Sequence, residues 1–317
     1  MTARATFCVP VFRGAGFLPG LGTALRAQTM RDFRCILAVD GEEDAESLEA
    51  ARALVTDGRF EAVALAPRLG WSGHAARLLR GVTTDYACYM PQDDLPAPEY
   101  LAVLLAAAEA APQPSTIFTD IRYVGAASHV ESNGGIEGGR LDRIRTQLAR
   151  QAWIPARGLV PRALAHAGVF APTTPEQVAE DHVAVLRMAI FGPVVRVPAP
   201  LYGKVVHAAN TGGRWLRWGP QQRRKAWAEL GVRLLECAFA VAAGEGERRM
   251  MWDAFFLRHC LPRAGRQEFW IPAADGVADF AAEILDGLAA RGHAVHSLLG
   301  AMPVQLAHAT AARLRQP

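Results

Sequence analysis

The chain has 317 residues, 51% of them hydrophobic and 21% charged, which allows one large globular domain or two small ones around a sizeable core. A formal net charge of +3, with no extended basic stripe, argues against a nucleic-acid partner, although only Lys204 and Lys225 among the 34 basic residues are lysines. Cys8, Cys35, Cys88, Cys237 and Cys260 are odd in number and widely spaced without a CxxC pair, so they read as reduced, buried thiols of a cytoplasmic protein rather than a zinc or redox centre. No apolar run has the length of a signal peptide or a membrane-spanning helix.

In chain order, short apolar runs at 6–12, 33–39, 60–66, 86–90 and 116–124 predict strands. Between the first two, Phe17, Leu18, Leu21, Ala24 and Leu25 fall at helical spacing, with Pro19 suited to a first turn. Further helices are predicted over 44–55, 72–82 and 98–111. Such alternation is the pattern of βα units around a mainly parallel sheet, an α/β fold. From 126 to 139 the chain turns polar and glycine-rich, which predicts a mobile loop, either a lid or a surface connection. Beyond Gly213 the pattern is almost wholly helical, over 220–243, 247–259 and 276–292, so the predicted division is a domain at 1–212 followed by a helical region at 213–317.

Two readings of the N-terminus compete. Gly14-x-Gly16 with Gly20, after a strand and opening a helix, matches a dinucleotide-binding loop, and Asp40 would then hold a ribose in an NAD(P)-dependent oxidoreductase. Pro10 argues against it, because a central strand of such a sheet needs its backbone donor. In the rival reading, 8–12 is the opening strand of a nucleotide-sugar site and Asp40 accepts a hydrogen bond from the base. Asp40-Gly41 is also a turn-prone pair.

Gln92-Asp93-Asp94 directly follows the fourth apolar strand, so the two carboxylates emerge at the carboxyl edge of the sheet, where open α/β proteins bind ligands. A hard cation held there by one or two carboxylates neutralises a departing diphosphate. The plainer alternative is an N-cap pair for the helix from Pro98. Further on, Glu180-Asp181 precedes a helical run and offers a carboxylate to take the proton from an acceptor hydroxyl, although acids also favour helix starts.

The segments 9–12, 27–29, 32–33, 36–41, 86–94 and 98–101, in this order and spacing, resemble family 2 glycosyltransferases of the GT-A fold, over about two thirds of the chain. The resemblance implies a GT-A-like sheet sandwiched by helices, with a nucleotide-sugar half at 1–95 and an acceptor half at 96–212. It implies a nucleoside-diphosphate sugar, UDP first among the bases, as donor and Mn2+ or Mg2+ as the metal. Asp94 is then the metal ligand and Asp93 the partner of the ribose or of a metal-bound water. Pro10, Phe12, Asp40, Arg68 and Lys204 belong to the donor site, and His207 contacts the diphosphate or the metal. Asp181 is the general base of an inverting transfer and Glu180 orients it or the acceptor.

The chain departs from the family at Pro91, where a further acid is common, and around His74-Ala75-Ala76, where an Ala-Arg-Asn motif is usual. A decayed site that only binds nucleotide sugars would show such departures. The Gln-x-x-Arg-Trp motif of processive members is missing, so a single addition to a glycan or lipid-linked acceptor is expected. Arg214-Trp215-Leu216-Arg217-Trp218 joins cations to aromatics and suits either peripheral contact at the inner face of a membrane or a clamp for the C-terminal helices.

Overall fold

All seven residues of β1 (Ala5–Val11) are buried, as a strand covered on both faces requires. In the computed structural model, which describes residues 3–174, 176–208, 210, 215, 217–259, 277–300, 302 and 304–314, this strand lies inside a nine-stranded sheet. The other strands are β2 (Phe33–Asp40), β3 (Phe60–Leu65), β4 (Tyr86–Tyr89), β5 (Leu95–Pro96), β6 (Thr116–Gly125), β7 (Val130–Glu131), β8 (Leu159–Pro161) and β9 (Val194–Val206). Their order is β3-β2-β1-β4-β8-β6-β9-β5, with β7 beside β6.

The β3, β2, β1 and β4 strands run parallel, joined by α1 (Leu18–Arg26), α2 (Ala45–Arg52) and α3 (Gly70–Arg80). Direction reverses at β8, which is antiparallel to both β4 and β6, while β6 and β9 are again parallel. The five strands and four helices expected before residue 125, the last being α4 (Tyr100–Ala110), are all present, and mainly their ends move. The parallel edge at β1, β2 and β4 therefore presents its carboxyl ends together. Pro10 is tolerated in β1 because the β4 ladder stops at Cys8, two residues earlier.

The stretch 126–139 differs from the loop expected there. β7 pairs with β6 through Ile121 and Glu131, and Ile136 bridges to Val194. Its polar side chains make the difference, since they bond to neighbouring elements and not only to water, as described below.

By internal packing the chain forms two compact units. One comprises 1–137, 152–172 and 187–207; the other comprises 138–151, 173–186 and 208–317. Two segments expected within the first domain thus group with the C-terminal helices. In the second unit α5 (Arg140–Arg150) packs on α9 (Glu245–His259), and α8 (Pro220–Phe239) packs on α10 (Val277–Ala289). Gly231 makes the latter approach feasible, because a Cβ there would lie 2.9 Å from Phe255 and 3.0 Å from Ile284. Arg224 bonds Glu283 at 2.9 Å across the same pair, and Arg291, two residues past the end of α10, bonds Glu229 at 3.0 Å. Short α11 (His296–Leu299) and α12 (Val304–Leu314) follow.

Trp215 meets Trp227 edge to face at 5.9 Å, within the second unit. Ala209, Thr211, Arg214, Leu216, Cys260 and the expected helix start at Gly276 lie outside the described residues. Cys8, Cys35 and Cys88 are buried free thiols, and burial pushes Cys88 up to about 12. No helix among the described residues is long and apolar enough to cross a membrane.

Candidate active site

The acidic pair sits in a tight turn after β4, closed by the Asp94 N–H donating to the Pro91 carbonyl. Gln92 fixes where that turn begins. Its Oε1 accepts the Phe12 N–H at 2.9 Å and its Nε2 donates to the Phe12 carbonyl at 3.0 Å, so one side-chain amide continues the β1–β4 ladder. Gly14 is needed for this approach: a Cβ at that position would stand 2.0 Å from Gln92 Oε1. The glycine that suggested a dinucleotide loop is thus occupied by the acidic turn, and its own N–H donates to Ser47.

The two adjacent carboxylates have opposite environments. Asp94 is fully buried, taking the Tyr202 hydroxyl on Oδ2 at 2.5 Å and the Val205 N–H on Oδ1 at 3.2 Å. Burial pushes its carboxyl above the ordinary value; Lys204 pulls it back, Asp93 raises it, and Arg157 and the Tyr202 bond lower it. Asp93 is partly exposed, with the His207 Nε2 at 2.9 Å from Oδ2. The His207 ring stacks on Phe17 at 4.6 Å. Neither acid caps α4, which rules out the N-cap reading: that helix has Glu99 at its N-cap and no side-chain cap bond.

Pairing of β5 with β9 brings these partners in. Leu95 lies opposite Gly203, and a Cβ on Gly203 would fall 2.5 Å from the Leu95 carbonyl oxygen. Only glycine lets β9 come close enough to deliver Tyr202 and Val205 to Asp94. The segment after the turn is pinned as well. Fully buried Gln28 donates to the Ala97 carbonyl at 2.7 Å and accepts the Leu101 N–H at 3.0 Å.

Because Asp94 is satisfied from both sides, its two simplest replacements should part. Asn retains an acceptor for Val205 and can meet Tyr202, so Asp94→Asn is expected to stay within about 1 kcal/mol of the parent in urea unfolding. Asp94→Ala leaves a buried hydroxyl and N–H unpaired and should lose about 2–4 kcal/mol.

At the neighbouring strand ends, Pro10 is buried and the half-buried Phe12 ring has the Arg68 guanidinium 3.7 Å and that of Arg13 5.2 Å from its centroid. Asp40 reaches this edge, with its carboxylate already engaged. The N–H groups of Leu69 and Gly70 donate to its two oxygens at 2.9 Å each, so it caps α3 from a neighbouring strand. His74 Nδ1 lies 3.1 Å from Asp40, and burial outweighs that carboxylate, lowering the imidazole's pKa below its ordinary value. His74 is the departure from the family motif, and it is absorbed into the α3 cap.

Glu180 and Asp181 open α7 (Glu180–Phe191) and belong to the second unit. Glu180 is buried and accepts four hydrogen bonds, from the N–H and hydroxyl of both Thr173 and Thr174, at 2.8–3.0 Å. Asp181 is half-buried. Of the expected site residues, Asp93, Asp94, Lys204 and His207 come together around the turn, and Pro10, Phe12 and Arg68 gather beside it.

Sequence reading missed Gln92, Tyr202, Trp153 and Arg157. The Arg157 guanidinium lies over Tyr89 at 4.9 Å and Trp153 at 5.6 Å, and its charge acts on Asp94. Gln92, next to the acidic pair, and Tyr202, beside Gly203 and Lys204, carried a usable signal. Trp153 and Arg157 are remote in sequence from the turn they stand near.

For a divalent cation the donor set is small. Among the described residues no three His, Cys, Asp or Glu side chains converge. A partly exposed carboxylate with an imidazole beside it nevertheless suits a cation that completes its shell with phosphate oxygens and water, as Mg2+ does.

The family model described as Glycosyl transferase family 2 matches residues 6–146. No curated protein matches the sequence significantly. Among solved structures, S. aureus TarS 1-349 in complex with UDP-GlcNAc is similar at 13% identity and a TM-score of 0.70, over 99% of this chain and 88% of that one. Its complex with UDP gives 0.65 at the same identity and coverage. The mannosyltransferase PcManGT from Pyrobaculum calidifontis, in complex with GDP-Man and Mn2+, gives 0.57 at 15% identity over 99% and 87%.

Proposed function

We propose that this chain, a glycosyltransferase by the family 2 domain at residues 6–146, moves one sugar from a nucleoside-diphosphate sugar to an acceptor hydroxyl with inversion. The division of the acidic pair supports this most: Asp94 is fully buried and held by Tyr202 and Val205, while Asp93 is partly exposed and pairs with His207. Asp93 with His207 would hold Mn2+ or Mg2+, which when bound neutralises the charge of the leaving diphosphate. Asp94 keeps its neighbour in place from below, so the metal role expected for it passes to Asp93.

Lys204 and Arg68 place cations for the diphosphate, and Phe12 with Pro10 forms an apolar wall for the base. Asp40 acts on the base side through the α3 terminus that it caps. Asp181 takes the proton from the acceptor hydroxyl as the new glycosidic bond forms. UDP is the proposed donor nucleotide, with GDP as the alternative, because similar folds hold UDP, UDP-GlcNAc and GDP-Man. The acceptor is a glycan or a lipid-linked hydroxyl.

A thermal-shift screen of UDP, GDP, CDP, dTDP and NAD(P), with and without Mn2+, tests the reading. One diphosphate should raise the melting temperature strongly only with metal, since stabilisation follows ligand concentration over Kd. A shift from NAD(P) alone, indifferent to metal, would sink it.

A further inference from the structure

The glycine-rich stretch before α5 has no part in the account above, yet two of its side chains reach the 3-10 turn Ile154–Arg157 and the tryptophan that opens it. Asn133 Oδ1 accepts the N–H of Trp153 and of Ile154, each at 3.1 Å. Glu131 Oε1 accepts the Trp153 indole N–H at 3.1 Å, and its Oε2 accepts the Tyr123 hydroxyl at 2.6 Å. Tyr123 is itself stacked on His129, with centroids 4.2 Å apart and planes 13° from parallel. Backbone and ring of Trp153 are therefore fixed separately, by two residues of one short stretch. That is a large investment of polar bonds in one half-buried aromatic.

What lies over that ring gives the investment a purpose. Lys204 Nζ is 5.6 Å from the Trp153 centroid, within cation–π range. Lys204 pairs with Tyr123 in the β6–β9 register, and the N–H of the next residue, Val205, binds Asp94. Among the charges acting on Asp94, that of Lys204 is the largest. A lysine has a long flexible stem and a strongly hydrated head, so one left in water samples many positions. An aromatic face restricts it.

We propose that Trp153, held by Glu131 and Asn133, is a positioning residue that keeps the Lys204 ammonium beside the acidic turn, ready for the donor's diphosphate. This rests on the glycosyltransferase reading and on Lys204 as a diphosphate contact. It assigns the glycine-rich stretch a task at the donor side: through Glu131 and Asn133 it sets where a cation stands.

The test is calorimetric binding of UDP and GDP, with Mn2+ present, to the full chain and to Trp153→Phe, Trp153→Leu, Lys204→Met and Trp153→Leu/Lys204→Met. Trp153→Leu should weaken the better diphosphate about three- to tenfold, and Trp153→Phe, which keeps a π face, no more than about twofold. In the Lys204→Met background, Trp153→Leu should change affinity less than about twofold, because the two residues act as one. Equal losses with and without Lys204 would mean that the ring acts independently of the lysine, by packing or through Arg157, whose guanidinium is also 5.6 Å from its centroid, and the proposal fails. So would unchanged affinity in Trp153→Leu. If Lys204→Met alone binds normally, the lysine assignment falls while the donor reading stands. If the parent chain binds neither diphosphate, the donor reading falls and takes this proposal with it.

Discussion

Replacing Asp93 by Ala should lower turnover by about three orders of magnitude or more, the scale of losing a charge-stabilising group in a transition state. The same change should leave stability nearly untouched. Asp93 is partly exposed, and His207 beside it is stacked on Phe17. Loss of a partly exposed pair of this kind costs about 1 kcal/mol or less. Two measurements separate the idea from general damage: the urea midpoint, expected to match the parent, and stabilisation by diphosphate with Mn2+, expected to vanish. His207→Ala should show a milder version, with metal affinity reduced about tenfold or more, because the Asp93 carboxylate and the diphosphate oxygens remain to hold the cation. An Asp93→Ala protein that unfolds early, or that still responds to Mn2+, would return the metal role to Asp94.

The second large effect is expected at Asp181. Asp181→Asn should lower kcat by about two to four orders of magnitude while leaving the affinity for diphosphate alone, because a general base acts on the acceptor and not on the donor. Its neighbour provides the contrast. Glu180 already has four donors on its carboxylate, so Glu180→Ala should cost about 2–4 kcal/mol of stability by stranding buried N–H and hydroxyl groups. Kinetics at saturating donor, alongside urea unfolding, read both. Full kcat in Asp181→Asn would remove it from the mechanism.

Both acidic pairs thus divide the same way: one member is buried under several hydrogen bonds and the other is less buried. Sequence could not show which was which. Asp93-Asp94 and Glu180-Asp181 were legible as acids after a strand and before a helix, because apolar periodicity is local. The partners that decide the roles are not local. Tyr202 and Val205 stand more than a hundred residues from Asp94, and they meet it only because Gly203 admits β9 to Leu95.

The parallel half of the fold was readable for the same reason that the site was not. Each strand and helix there carries its own pattern, and β1 is buried at every position. At 126–139, composition pointed to a mobile loop, whereas Glu131 and Asn133 spend their polar groups on Trp153, twenty and more residues away. The glycines at 14, 16 and 20 suggested a phosphate loop, yet Gly14 makes room for Gln92. In both places the residue types were recognised and the partner was not.

Gln28 has a mechanical consequence. One buried amide grips the carbonyl of Ala97 and the N–H of Leu101, at the two ends of the link from β5 to α4, while standing just past the end of α1. The link that follows the acidic turn is thereby riveted to the first helix, and it cannot slide along the sheet without breaking both bonds at once. Any flexing that accompanies donor entry must find its hinge elsewhere, and the solvent exchange of the Leu101 amide becomes a gauge of whether the rivet ever opens.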